Sequence, residues 1–306
     1  MNSPQTVTVN AREYRLPTRP TLVITVDGCD PRYLDDALER GLMPRFAAML
    51  NDGGAYALGR SQMPSFTNTN NISIVTGSTP AVHGLPGNHY LDPSGEEIQL
   101  SDPRFLRAPS IHKVLMDHGS RVLCVTAKDK LRRLLAHGGV PATSAEKAHE
   151  CPLPAYGIED VVSLVGRKNP GPYEWDMSHY AMEIGLAVSS DVGALDLLYV
   201  STTDFVQHAE RPGGPTIFSG CVRFDTSCAS RMKNGMPPKW SPWKCVTTMV
   251  STALRSIPRC LSATREVAPQ SINAFTLAPV RWKQVLKRPP EPKASPHPMN
   301  CRRMLL

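Results

Sequence analysis

Residues 20–211 predict an α/β fold with a mostly parallel sheet and helices on both faces, incomplete on its C-terminal side. Three observations carry this. "TLVITVDGCD", "RVLCVTAKDK" and "LDLLYVSTTD" are near-continuous apolar runs ending in charged residues, the pattern of strands buried on both faces. Stretches with helical spacing separate them. The alternation of the two at this interval is what a parallel sheet with crossover helices requires.

The elements follow in order. "TLVITVDGCD" is the first strand, its carboxyl end meeting a turn at Asp27-Gly28. "YLDDALERGLMPRFAAMLNDGG" is helical, broken at Gly41–Pro44 and closed by Gly53-Gly54. "AYALGRSQ" reads as a short strand. From Asn70 to Val75 the pattern is helical again. "RAPSIHKVLMDHGS" is a helix stopped by Gly119, "RVLCVTAKDK" the second buried strand and "LRRLLAHGG" another helix. "HYAMEIGLAVSSDVGALDLLYVSTTDFVQH" gives a helix and then the third buried strand.

Composition divides the chain in two. The 306 residues carry a formal charge of +7, but residues 212–306 hold 15 Lys/Arg against 3 Asp/Glu, so the basic character belongs to that segment. It also carries 13 of the 29 Pro, 5 of the 8 Cys and one histidine, His297. Two domains are therefore expected: 1–212, the α/β part, and 213–306, a basic Pro-rich segment of little regular structure. No apolar run is long enough for a membrane span. The N-terminus lacks an apolar export core and the cysteines form no CxxC pair, so a cytoplasmic setting is expected.

Ligands of open α/β sheets bind beyond the carboxyl ends of the strands. Three such ends carry reactive side chains: Asp27, the Lys128/Asp129/Lys130 cluster, and Asp204 with His208. Asp204 and His208 are four apart, and on a helical turn both face one way and can share a divalent metal. They suit a surface or capping pair equally, and Asp-Gly after a strand is also an ordinary turn signal.

"MPSFTNTNNISIVTG" leaves a similar choice open. Ser65 or Thr67 suits an N-cap. The same helix start also offers unpaired N–H groups to an anion, where a hydroxyl activated by a metal could attack phosphorus.

"TLVITVDGCDPRYL", "MPSFTNTNNISIVTGSTPAVHGLPGNHYLDP", "VTAKDKL" and "LLYVSTTDFVQH", in that order over about residues 18–212, closely resemble the phosphonoacetate hydrolases of the alkaline phosphatase superfamily. Nucleotide pyrophosphatase/phosphodiesterases match more loosely. The resemblance implies an alkaline phosphatase-like fold, two zinc ions and Thr67 as the nucleophile bridging them. It implies Asp27 as ligand of one metal, with a later Asp-His pair, and Asp204 and His208 as ligands of the other, with a distant histidine. Lys128 and Lys130 match the clamp on the substrate carboxylate, and Asn88 a donor to a phosphonyl oxygen. The implied reaction is zinc-dependent hydrolysis of the C–P bond of phosphonoacetate to acetate and phosphate. A phosphodiesterase or nucleotide pyrophosphatase is the alternative, against which the two lysines count.

The implied partner is a small anionic phosphonate. A homodimer is compatible with the resemblance; neither membrane nor nucleic acid is expected. Trp240, Trp243 and Trp282 lie beside basic residues in the tail, but no nucleic-acid-binding module surrounds them. After Arg211 no Asp-His dipeptide occurs, and only Asp225, Glu266, Glu291 and His297 could serve as ligands. The abrupt change of composition reads as translation in a shifted frame from about Gly214. On that reading the ligand set is partial and the hydrolytic activity is lost in this chain, an inactive fragment being the further alternative.

Overall fold

A computed structural model describes residues 5–171 and 174–214. The expected boundary near 212–213 falls at the end of the described residues, and the segment expected to be out of frame lies outside them from residue 215 onward.

The strands are β1 (Thr6–Val9), β2 (Arg12–Arg15), β3 (Thr21–Thr25), β4 (His89–Leu91), β5 (Glu97–Gln99), β6 (Val122–Thr126), β7 (Ala142–Ser144) and β8 (Leu197–Ser201). The α-helices are α1 (Pro31–Glu39), α2 (Pro44–Asn51), α3 (Thr67–Thr76), α4 (Pro80–His83), α5 (Ile111–Asp117), α6 (Asp129–Leu135), α7 (Val161–Val165), α8 (Met177–Val192) and α9 (Phe205–Ala209). Four strands form one parallel sheet in the order β3-β8-β6-β7. β1–β2 and β4–β5 are separate antiparallel hairpins.

The three strands expected from apolar runs are β3, β6 and β8, and they are neighbours. Every residue of β6 and β8 is buried, because helices cover both faces. On one face Leu22, Ile24, Leu123, Val125, Leu198 and Val200 meet Tyr180, Ala181, Ile184 and Val188 of α8. On the other, Val122, Cys124, Leu197 and Tyr199 meet Ile72 and Val75 of α3, Leu115 of α5 and Leu131 of α6. Burying each large apolar side chain stabilises the fold by about 1.5–3 kcal/mol. Gly185 lets α8 approach closely: a Cβ there would stand 3.1 Å from Leu198 Cδ2.

The helical stretch from Tyr33 divides at Gly41–Pro44 into α1 and α2, as its breakers require. Other expectations are corrected. "AYALGRSQ" has no regular structure; Gln62 N, which a strand would pair with a neighbour, bonds instead to Asn70 Oδ1 at 2.8 Å. α3 begins at Thr67 rather than Asn70. Both hairpins and the three-residue β7 add to the expected elements. No helix of the described residues is long and apolar enough to cross a membrane.

Candidate active site

The order β3-β8-β6 brings together three strand ends that are far apart in sequence. Asp27 lies two residues beyond β3, Lys128 two beyond β6 and Asp204 three beyond β8. They open on one cavity of about 230 Å³, whose wall also carries Thr67, Asn88 and Lys130. Six of the seven residues to which the resemblance gives a role therefore share one wall, whereas Asp129 of the strand-end cluster turns to Arg132, Oδ1 lying 2.6 Å from its Nε. His208 joins through its neighbour, with Nε2 at 2.9 Å from Asp204 Oδ2.

Thr67 is the first residue of α3, and the N-cap position is Phe66, which makes no side-chain cap. The capping role offered to Ser65 or Thr67 is therefore not taken. The Thr67 hydroxyl instead donates to Asp27 Oδ2 at 3.0 Å. Asp27 is 9% exposed. Burial first, and the nearby Asp204 carboxylate second, push its pKa up to about 6 against the pull of the Thr67 bond.

α3 is held from behind by polar groups. Asn71 Nδ2 donates to Thr67 O at 2.9 Å. Asn71 Oδ1 accepts from Tyr199 OH at 2.7 Å, and Tyr199 OH accepts from Thr25 Oγ1 at 2.8 Å. A buried chain of bonds thus runs from β3 through β8 to the residue that carries the hydroxyl.

Gly28 makes the Asp27 turn possible. Its φ is +67°, and a Cβ would lie 2.9 Å from Asp204 Cβ, so a side chain would wedge apart the two strand ends that carry the carboxylates. Lys128 is the N-cap position of α6 and half-buried, whereas Lys130, in the first turn, is exposed. Asn88 is exposed just before β4, and its carbonyl accepts from Leu100 N at 2.7 Å. The hairpin it leads into adds His89 and Gln99, a cross-strand pair, to the wall.

Sequence reasoning missed His89, Gln99 and the run Ser201–Thr203 on the wall, and Asn71 and Tyr199 behind it. A signal existed for Ser201: the two-residue period of a strand puts it on the face of Tyr199. For the hairpin residues there was none, because their pairing depends on where the loop folds back.

Two carboxylates, an imidazole and a hydroxyl are oxygen and nitrogen donors of the kind Zn²⁺ takes. Two like charges meeting at a buried carboxylate also call for a cation. The residues thus fit a metal in kind. In number they fall short: among the described residues no three His, Cys, Asp or Glu side chains are grouped to hold one.

The chain belongs to the type I phosphodiesterase / nucleotide pyrophosphatase family, whose model matches residues 21–234, within the alkaline phosphatase superfamily. Phosphonoacetate hydrolase from Sinorhizobium meliloti 1021, crystallised with phosphonoacetate, is similar at 39% identity and a TM-score of 0.72, over 81% of this chain and 59% of that one. Its complex with phosphonoformate gives the same values. Human ectonucleotide pyrophosphatase / phosphodiesterase 5 is 14% identical, with a TM-score of 0.47, over 76% of this chain and 56% of that one. The chain thus spans 59% of the length of the S. meliloti enzyme.

Proposed function

We propose that the cavity is that of a zinc-dependent phosphonoacetate hydrolase, and that this chain binds the substrate while turning it over slowly. The observation that carries the reading is the junction, in one cavity, of the Thr67–Asp27 pair with Lys128 and Lys130. A hydroxyl at a helix start suits attack on phosphorus, and two cationic side chains lining the same cavity suit a second anionic group on the same small molecule.

Thr67 Oγ1 attacks phosphorus, its proton lying on the side of Asp27 Oδ2. The N–H groups at the start of α3 and the Asn88 amide stabilise the phosphonyl oxygens. Lys128 and Lys130 hold the carboxylate, stabilising the negative charge that moves into the acetyl arm as the C–P bond breaks. The acetyl carbon takes up one proton from water, balancing the one lost from Thr67, and acetate leaves; a second water then releases phosphate and returns the hydroxyl of Thr67. Zinc, held by Asp27 with Thr67 and by Asp204 with His208, would lower the pKa of the attacking hydroxyl and shield the phosphonyl charge.

Slow turnover follows from the donor count. Beyond Arg211 the sequence has no Asp-His pair and one histidine, His297. Residues 212–306 therefore do not offer the remaining ligands of the family pattern in their expected form.

The test is calorimetric binding of phosphonoacetate to the full chain with Zn²⁺, alongside phosphate release by the parent and Thr67→Ala. The expected result is binding with slow release in the parent and none in the variant. Preferential binding and cleavage of an aryl phosphodiester would favour the phosphodiesterase reading and overturn this one.

A further inference from the structure

The last residues of all four strands of the sheet are hydroxyl-bearing and in register. Thr25 pairs with Ser201, Ser201 with Thr126, and Thr126 with Ser144. In-register positions of a parallel sheet point to one face, so the four hydroxyls form a row across the carboxyl edge. All four residues are buried, each 3% exposed or less.

Three of them are committed within the protein. Thr25 Oγ1 donates to Tyr199 OH at 2.8 Å and Thr126 Oγ1 to Lys128 O at 2.8 Å. Ser144 Oγ accepts from Lys147 N at 3.2 Å and reaches Asp129 Oδ1 at 3.4 Å. Ser201 differs: it is 0% exposed and its Oγ has no hydrogen-bond partner. Among the described residues it is also the one of the four that lines the cavity. A buried hydroxyl left unpaired costs the desolvation of its polar atoms. One on a residue that lines a binding cavity recovers that cost when a ligand supplies the partner.

We propose that Ser201 is a substrate-binding residue that donates a hydrogen bond to the carboxylate of the acetyl arm. This deepens the phosphonoacetate reading and rests on it. The position decides which end of the ligand it meets. β8 lies between β3, whose end carries Asp27, and β6, whose end carries Lys128. An anion with phosphorus at Thr67 and its carboxylate at the lysines therefore crosses over Ser201. Lys128 and Lys130 supply charge to the arm; Ser201 supplies a short, fixed donor that sets its direction.

The experiment compares the full parent chain with Ser201→Ala by calorimetry in the presence of Zn²⁺, with phosphonoacetate and inorganic phosphate as ligands. Thermal unfolding without ligand is measured beside it. Loss of a hydrogen bond to a charged group should weaken phosphonoacetate binding by about tenfold or more, while phosphate, which lacks the arm, binds as before. Because the substitution removes an unpaired buried hydroxyl, the unfolding temperature should stay level or rise. Equal phosphonoacetate affinity in the two proteins overturns the proposal, as does an equal loss for both ligands with a lowered unfolding temperature, which would mark a structural role. A parent that binds phosphate but not phosphonoacetate overturns the functional reading and, with it, this assignment.

Discussion

Tyr199 shows how one side chain couples packing to the site. Its ring lies 5.1 Å from the His112 ring in the core beneath α3. Its hydroxyl both accepts from Thr25 and donates to Asn71, and Asn71 holds the carbonyl of Thr67. Burial pushes the phenol's pKa up, so it remains a neutral donor at any working pH. Tyr199→Phe keeps the ring and removes both bonds, leaving the Thr25 and Asn71 groups buried without a partner. The expected cost is about 1–3 kcal/mol of unfolding free energy, read from urea denaturation of parent and variant. Pairing it with Asn71→Leu should recover part of that loss, since the stranded acceptor, Asn71 Oδ1, is then gone and only the Thr25 donor is left unpaired. A fully additive double variant would show that the bond between the two side chains contributes nothing.

At the scale of elements, legibility follows burial chemistry. β3, β6 and β8 were readable because strands buried on both faces leave continuous apolar runs, and their order in the sheet converts three separate strand ends into one site. α3 was only half readable. Thr69, Asn70, Asn71, Ser73 and Thr76 are buried, yet they look like loop residues in sequence. Buried polar side chains in a helix must find partners, and four of these bond back to the carbonyl four residues earlier: Asn70 to Phe66, Asn71 to Thr67, Ser73 to Thr69 and Thr76 to Ile72. That local solution leaves no apolar stripe to detect. The β4–β5 hairpin was invisible for another reason: its strands are three residues long and mostly exposed, so no alternation marks them.

The β3–α1 turn shows what an element boundary can demand of one residue. Gly28→Ala would place a methyl group at positive φ against Asp204 Cβ and Gln207 Cβ. The cost is expected at about 1–3 kcal/mol of stability, and the displaced Asp204 should weaken zinc retention after dialysis. Unchanged stability together with unchanged zinc content would mean that the turn relaxes without moving β8's end.

At the scale of the whole molecule, two histidines buried in the core of the described residues add acid sensitivity away from the cavity wall. His83 and His112 are buried, and burial pulls the pKa of each down to about 4. His83 Nδ1 accepts from Leu85 N at 3.2 Å, which leaves Nε2 as the donor to Ser73 Oγ at 2.8 Å; a second proton has nowhere to go. His112 Nδ1 lies 3.2 Å from Cys124 Sγ, whose own pKa burial raises, so no anion is at hand to welcome a charged ring. The unfolded chain takes up these protons near pH 6.5, the folded one only near pH 4. Between those values the unfolded state binds more protons, so stability is full above about pH 6.5 and falls as the pH is lowered toward 4. Each histidine contributes about 3 kcal/mol to that loss. Asp27 acts in the opposite sense: its raised pKa means that protonation below about pH 6 relieves a buried charge. The His112 contribution is isolated by comparing the pH dependence of urea unfolding in the parent and His112→Leu. The variant's curve should be shallower by about 1.4 kcal/mol per pH unit between pH 6 and 4.5. Parallel curves would place the acid sensitivity elsewhere than in this core.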